Sequence, residues 1–301
     1  MIKEKTPVSG SEINTYLLCQ RRWLYAHHPG WNLEPNTLGP ALTRGLIGHK
    51  ALETFYEEVM QTGDWDTAAQ NCINRTTKFG FKSLNEGDSK KFEMVAGLIK
   101  ILSEYFIHYK SELQDFEVLA VEELVRGPLK SPVAEFVGRV DVTIKYKRGP
   151  WKGETAPFDH KFVYNFWPDG AFMLNAQMPN YVWGVRNTYT EAVVKRAIVN
   201  QLRHRDNATE RFNRRDIVPT RIEIDAIIDN HSRAATEVVA VKRMDPEDAS
   251  SAVMRNISKF NCEYCPFIRM CKLDLIGEDT TIMRKTEFKK NSYGYAERND
   301  G

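Results

Sequence analysis

An α/β fold is what the sequence predicts, and three observations predict it. The stretch from Glu135 to Lys161 holds two extended, β-rich runs separated by the cluster Arg148-Gly149-Pro150-Trp151-Lys152-Gly153, which is the composition of a hairpin. Four segments before it and three after it repeat apolar residues at helical spacing. Residues 192–202 read as one more strand, a buried one.

Taken in order, Ser9-Gly10-Ser11-Glu12 is a capping box, and with Ile13, Leu17, Leu24 and Tyr25 behind it the spacing predicts a helix over 10–26. That helix carries Cys19 and the phrase Arg21-Arg22-Trp23. A Pro/Gly/Asn-rich loop follows over 29–40. The next helix spans 41–61, with Leu42, Leu46, His49, Leu52 and Tyr56 on one stripe, so His49 faces inward with Glu53 one turn on. Two more helices are expected over 65–79, where Cys72 reads as a small buried apolar residue, and over 89–110. A strand over 116–125 precedes the hairpin. A helix over 171–186 then places Gln177 and Tyr181 one turn apart on one face. Thr220-Arg221-Ile222-Glu223 is a second capping box, opening a helix with Ile224, Ile228, Ala235 and Val238 inward, and Asp245-Pro246 starts a last helix to about 257. Residues 1–275 read as one domain and 276–301 as a weakly ordered tail.

The chain has 301 residues and a formal charge of +2, from 42 basic and 40 acidic residues. It is therefore no polycation, and any nucleic-acid contact must come from a local patch. The segment 195–221, with eight Lys/Arg against three Asp/Glu, is one such patch. No run approaches the ~18 apolar residues of a membrane span, and Met1 to Pro7 lacks a signal-peptide core, so the expectation is a cytoplasmic protein. Five cysteines in a reducing compartment argue for metal, catalysis or burial rather than disulfides.

Two constellations carry chemistry. In a strand, residues i and i+2 share a face, so Asp159 and Lys161 point one way and His160 the other, with Asp141 arriving from the first hairpin strand. Two carboxylates and an amine focused on one point can hold a divalent cation and steady an attacking water or a phosphate. An isolated Asp-x-Lys is more often an ordinary cross-strand ion pair. The second constellation is Cys262-x-x-Cys265 with Cys271 after five intervening residues, a spacing that folds three thiolates around a small inorganic centre. Cys19 is the candidate fourth ligand, which would staple the N-terminal helix to the C-terminal part. Pro266 suits an iron–sulfur cluster, and the same four thiolates also compose a structural zinc site.

The order Cys19, His49, Asp141, Asp159-x-Lys161, Gln177-x-x-x-Tyr181, Cys262-x-x-Cys265-x5-Cys271 resembles the RecB-like exonucleases of the PD-(D/E)xK superfamily. The likeness is to their iron–sulfur branch, which includes the nuclease part of AddB and the nucleases of CRISPR adaptation. It covers about residues 9 to 271. The resemblance implies a restriction-endonuclease-like mixed sheet flanked by helices, acting on DNA with magnesium or manganese. It implies metal ligation by His49, Asp141 and Asp159, a catalytic Lys161, and Gln177 and Tyr181 on the helix beside the site. It also implies a [4Fe-4S] cluster on Cys19, Cys262, Cys265 and Cys271 that joins the N- and C-terminal parts. Asp159 departs from the commoner Glu and reaches about one methylene less. The helicase part of RecB has no counterpart in these residues.

The expected function is a metal-dependent DNA exonuclease in recombination, repair, phage replication or CRISPR adaptation. It is expected to prefer single strands, with a 5′-to-3′ direction implied by the resemblance alone. Residues 195–221 and Arg21, Arg22 and Trp23 are the expected strand-tracking surface. The alternatives are a non-catalytic DNA-binding scaffold and a structural subunit working with recombination or CRISPR-adaptation proteins.

Overall fold

The computed structural model describes residues 4–37, 39–82, 89–173, 175–205 and 208–291. In chain order the elements are β1 (Thr6–Ser9), α1 (Gly10–Leu18), α2 (Gln20–His27), β2 (Leu33–Pro35), α3 (Pro40–Thr62), α4 (Trp65–Lys82), α5 (Ser89–His108), β3 (Phe116–Pro128), β4 (Ala134–Tyr146) and β5 (Thr155–Val163). There follow α6 (Asp169–Met173), α7 (Gln177–Thr188), β6 (Ala197–Arg203), β7 (Phe212–Ile217), α8 (Arg221–Lys242), α9 (Pro246–Ala252), α10 (Lys259–Glu263), α11 (Ile268–Leu275), α12 (Thr281–Glu287) and β8 (Phe288–Lys290). The chain divides into two compact units. One holds Met1–Leu38, Pro128–Val137 and Ala226–Gly301, the other Gly39–Gly127 and Gly138–Asp225. No described helix is long and apolar enough to cross a membrane.

The second unit contains the predicted hairpin. Gly149 (φ 80°) and Gly153 (φ 85°) take the left-handed backbone that the turn needs and that glycine adopts without steric cost, and Gly153 N–H closes the turn on Tyr146 O at 2.8 Å. Strands β4 and β5 then run antiparallel in the register Val142↔Phe158 to Lys145↔Thr155. Strand β5 pairs parallel with β6, β6 pairs antiparallel with β7, and β3 pairs with β4, giving a mixed sheet. Phe55, Leu52, Leu98, Leu102, Tyr105, Val142, Ile144, Phe158 and Ile198, all buried, join helices α3 to α5 to this sheet in one core. Gly48 sets the approach of α3: a Cβ there would meet the Phe162 ring of β5 at 2.3 Å. Burial on α3 begins only at Ile47; Leu42 and Leu46, expected on the inward stripe, are exposed because the first turns of the helix precede that contact.

In the first unit β1 lies parallel on Ala134 to Val137 of β4. Ser9 caps α1, its hydroxyl accepting Glu12 N–H at 3.1 Å, but the single helix expected over 10–26 is two. Cys19 is extended (φ −162°, ψ 110°) between α1 and α2. Glu12, the other half of the expected box, instead accepts Trp23 Nε1 at 3.0 Å and pairs with Lys242. The segment expected as a weakly ordered tail forms α12 and β8 over 281–290, with β8 antiparallel to β2; buried Phe288 stacks on Phe267 at 5.3 Å and so anchors it. Residues 292–301 of that tail lie outside the described residues.

Candidate active site

The ladder between β4 and β5 gives way to side-chain contacts beyond Val142↔Phe158. There Asp141 Oδ2 accepts the backbone N–H of His160 at 2.7 Å and lies 3.2 Å from His49 Nδ1 on α3. Asp159, 1 % exposed, is held by Lys161 Nζ at 2.9 and 2.8 Å from its two oxygens and by Gln177 Nε2 at 3.0 Å. Gln177 also donates to Tyr181 Oη at 2.8 Å. The structure therefore brings together His49, Asp141, Asp159, Lys161, Gln177 and Tyr181, as read from the sequence. His160 points to the other side, stacked on Tyr56 at 5.5 Å and 3.0 Å from Asn200 Nδ2.

Helix α7 is half of an expected element. The helix read over 171–186 is α6 and α7, and Gln177 opens the second, its N–H taken by the Asn175 side chain at 2.8 Å. Asn competes in this way with helical hydrogen bonding, so the break falls where Gln177 can turn toward Asp159.

The electrostatics follow from burial and from these partners. Burial would raise Asp141, yet the His49 imidazole and the His160 N–H reverse this and hold its carboxyl down to about 2. Asp159 goes the other way: burial and the charge of Asp141 push it up to about 6, against Lys161. Burial disfavours charge on His49, but the Asp141 carboxylate wins and raises the imidazole above its ordinary value. Two neighbouring carboxylates with pKa values driven apart are what general acid–base and metal sites arrange.

One residue escaped sequence reading. Glu122 on β3 brings a carboxylate oxygen to within 4.8 Å of ligand atoms of both His49 and Asp141, a trio able to hold a metal ion. Asp159 is not part of that compact group. Burial, with the charges of Asp141 and Glu53, pushes Glu122 up to about 7. Its signal in the sequence is the acidic pair Glu122-Glu123 inside a β-rich run.

The chain matches the family model of the PD-(D/E)XK nuclease superfamily over residues 7–272. It belongs to that superfamily. Among solved structures, a "Putative exonuclease" from Eubacterium rectale is 14% identical, with a TM-score of 0.50, covering 89% of this chain and 91% of that one; at that identity the likeness shows the fold. A protein described as SSO0001 is 15% identical over 65% of this chain and 80% of its own, with a TM-score of 0.34. No curated protein matches. For a PD-(D/E)XK chain the donor set of one imidazole and carboxylate oxygens suits Mg²⁺ or Mn²⁺, hard cations that take oxygen ligands.

Parts of the two expected DNA surfaces have partners within the protein. In 195–221 the cations are largely committed: Arg196 to Glu154 and Asp216, Arg211 to Glu104, Arg214 to Glu112, Arg215 to Asp169 and Arg221 to Asp225. In the first unit Trp23 is fully buried, and Arg21 is buried against Asp274 and Ser250, so neither can stack on a base.

Four of the five cysteines, Cys19, Cys262, Cys265 and Cys271, lie on the first unit. Cys265 closes a turn on Cys262, its N–H bonded to that carbonyl at 3.1 Å, and Cys271 sits on α11. Cys265 is pushed up by burial, with Cys19 and Cys271 adding to the shift, so these three are neighbours. Among the described residues no three cysteine sulfurs lie within 4.8 Å of one another; a tetrahedral zinc with ~2.3 Å bonds would hold them roughly 3.8 Å apart.

Proposed function

We propose that this chain is a metal-dependent deoxyribonuclease that hydrolyses phosphodiester bonds, acting as an exonuclease on single strands. The observation that carries the reading is the meeting of His49–Asp141 and Lys161–Asp159–Gln177 at one end of the β4–β5 hairpin. A divalent cation bound there lowers the pKa of water and neutralises charge on a scissile phosphate. His49 and Asp141 would hold it, with Asp159 oriented toward it by Gln177. Lys161, its ammonium fixed against Asp159, would orient the attacking water or the phosphate oxygen, and Tyr181 fixes the amide of Gln177.

The single-strand preference draws support from the segment after β5. Lys161 Nζ lies 6.0 Å from the Trp167 ring, Arg203 covers Phe166 at 3.8 Å, and exposed Tyr164 has Arg205 at 6.0 Å. Aromatic faces flanked by cations are what sequence-tolerant stacking of single-stranded bases uses. Initiation from 5′ ends, a role in recombination, repair or CRISPR adaptation, and a [4Fe-4S] cluster on Cys19, Cys262, Cys265 and Cys271 belong to the same reading, supported by the sequence resemblance. For the cluster, the donor set fits: four thiols on one unit, none in a disulfide.

The test uses an oligonucleotide labelled at each end, single-stranded or in blunt duplex, with Mn²⁺. Wild type should shorten the single strand faster, from its 5′ end. Asp159→Ala and Lys161→Ala should each lower cleavage by roughly 10²- to 10⁴-fold, the range for positioned proton-transfer and charge-stabilising groups, with DNA binding retained. Wild-type turnover in either variant would overturn the assignment of the site, and shortening from the 3′ end would overturn the polarity.

A further inference from the structure

The two acidic neighbours on β3 have different fates. Glu123 is absorbed by the fold: both its oxygens accept Tyr189 Oη at 3.0 Å, and one accepts Thr143 Oγ1 at 3.3 Å. Glu122 is turned the other way. Its backbone is left-handed at φ 50°, uncommon for a residue other than glycine, and its carbonyl is pinned by Arg139 Nη1 at 2.8 Å. A break of this kind in a strand re-aims a side chain. Among the described residues its carboxylate pairs with Arg139, whose Nε stands at 3.9 Å, beyond hydrogen-bond distance. What it does approach is His49 and Asp141.

The repulsion between a carboxylate without a close donor of its own and a second carboxylate beside it is relieved by a proton or by a cation that comes between them, and a cation gains both as ligands. Ligands of an octahedral Mg²⁺ or Mn²⁺ stand ~2.1 Å from the ion, so their atoms are up to ~4.2 Å apart, and the 4.8 Å limit of the trio is closed by small side-chain rotations. Asp159, engaged by Lys161 and Gln177, stands outside this group. We propose that Glu122 is a direct ligand of the divalent cation, beside His49 and Asp141. This rests on the nuclease reading above and adds to it a residue on a different strand.

The experiment measures Mn²⁺ binding to the metal-free full chain, without DNA, by calorimetry and by the loss of the free-ion electron paramagnetic resonance signal. Glu122→Gln keeps the size and an acceptor for Arg139 but removes the anionic ligand. It should weaken Mn²⁺ binding by about tenfold or more, since ligand charge sets affinity in such sites, while leaving the melting temperature of the metal-free protein unchanged. Arg139→Gln, which leaves the carboxylate in place, should hold Mn²⁺ affinity within about twofold of wild type. Wild-type affinity in Glu122→Gln, beside lost affinity in Asp141→Asn, would overturn the inference and leave the nuclease reading standing. An equal loss in Arg139→Gln would overturn it too, because Glu122 would then act only through the arginine. Undiminished Mn²⁺ binding in Asp141→Asn would instead strike at the underlying reading of the site.

Discussion

The carboxylate site and the cysteine site differ in what holds them together. In the unit with β3 to β7, each key side chain already has protein partners: Asp141 has His49 and the His160 N–H, and Asp159 has Lys161 and Gln177. In the other unit, the thiols are only part-buried and do not gather into a closed set. Nearby charges there satisfy one another instead, with Asp274 taking Arg21, Arg255 and the Tyr25 hydroxyl. A site with its own internal pairs is preorganised before any ion arrives. One whose ligands are not yet gathered draws its order from the ion. On the proposed reading, metal serves chemistry in one unit and folding in the other.

The largest effect comes from breaking the cysteine side. Apparent binding free energies of structural Cys-rich metal sites reach ~10 kcal/mol, comparable with the whole stability of a domain at ~5–15 kcal/mol. Protein purified without oxygen should be brown, with broad absorption near ~400 nm from thiolate-to-iron charge transfer. Cys19→Ala should lose the colour and most of the cooperative unfolding of the unit carrying α1, α2 and α8 to α12. EDTA at a level that strips the carboxylate site should abolish cleavage and leave the circular dichroism spectrum unchanged. A colourless wild type with stoichiometric zinc, or a Cys19→Ala protein that melts like wild type, would remove the proposed contrast.

How much of this was legible in the chain varies with how local its cause is. The hairpin was readable because turn glycines and period-two runs are local signals. The Asp141, Asp159 and Lys161 convergence then followed from strand geometry. The second capping box was readable for the same reason: Thr220 Oγ1 accepts Glu223 N–H at 3.2 Å and Glu223 returns a bond to Thr220 N at 2.7 Å. The break at Cys19 was not, since no Gly or Pro marks it. The pairing of most of the 195–221 cations was hidden because Glu104, Glu112, Glu154 and Asp169 lie elsewhere in the chain, on α5, in the turn after it, before β5 and on α6. Glu122 was missed because its direction is set by one left-handed residue, which defeats the alternation that strand reading assumes.

A middle-sized effect sharpens the comparison through pH. His231 on α8 is 2 % exposed, its Nδ1 has no hydrogen-bond partner among the described residues, and burial pushes it down to about 4. The folded state thus binds this proton less tightly than the unfolded chain, whose value is ~6.5. The stability it permits is full above pH ~6.5 and falls as pH drops toward 4, by up to ~3 kcal/mol. Urea midpoints for wild type and His231→Leu at pH 7.5 and pH 4.5 test this: the variant should show a shallower fall. Parallel pH dependence in the two proteins would show that His231 carries none of it.

The smallest effect separates the fifth cysteine from the other four. Cys72 on α4 is completely buried in the core of the unit with the mixed sheet, and its thiol donates to Ala51 O at 3.1 Å. Burial pushes that thiol up to about 12, so almost no thiolate exists at neutral pH, and the thiolate is the reactive form. Removing the sulfur deletes one small apolar atom and one weak hydrogen bond, so Cys72→Ala should cost only about 1 kcal/mol and leave cleavage at the wild-type rate. In metal-free protein, four thiols should react readily with a disulfide reagent, while Cys72 reacts at the rate at which its unit opens. Peptide mapping after brief labelling distinguishes them. Rapid labelling of Cys72, or a loss in Cys72→Ala as large as in Cys19→Ala, would mean that this cysteine also belongs to the metal-dependent half of the comparison.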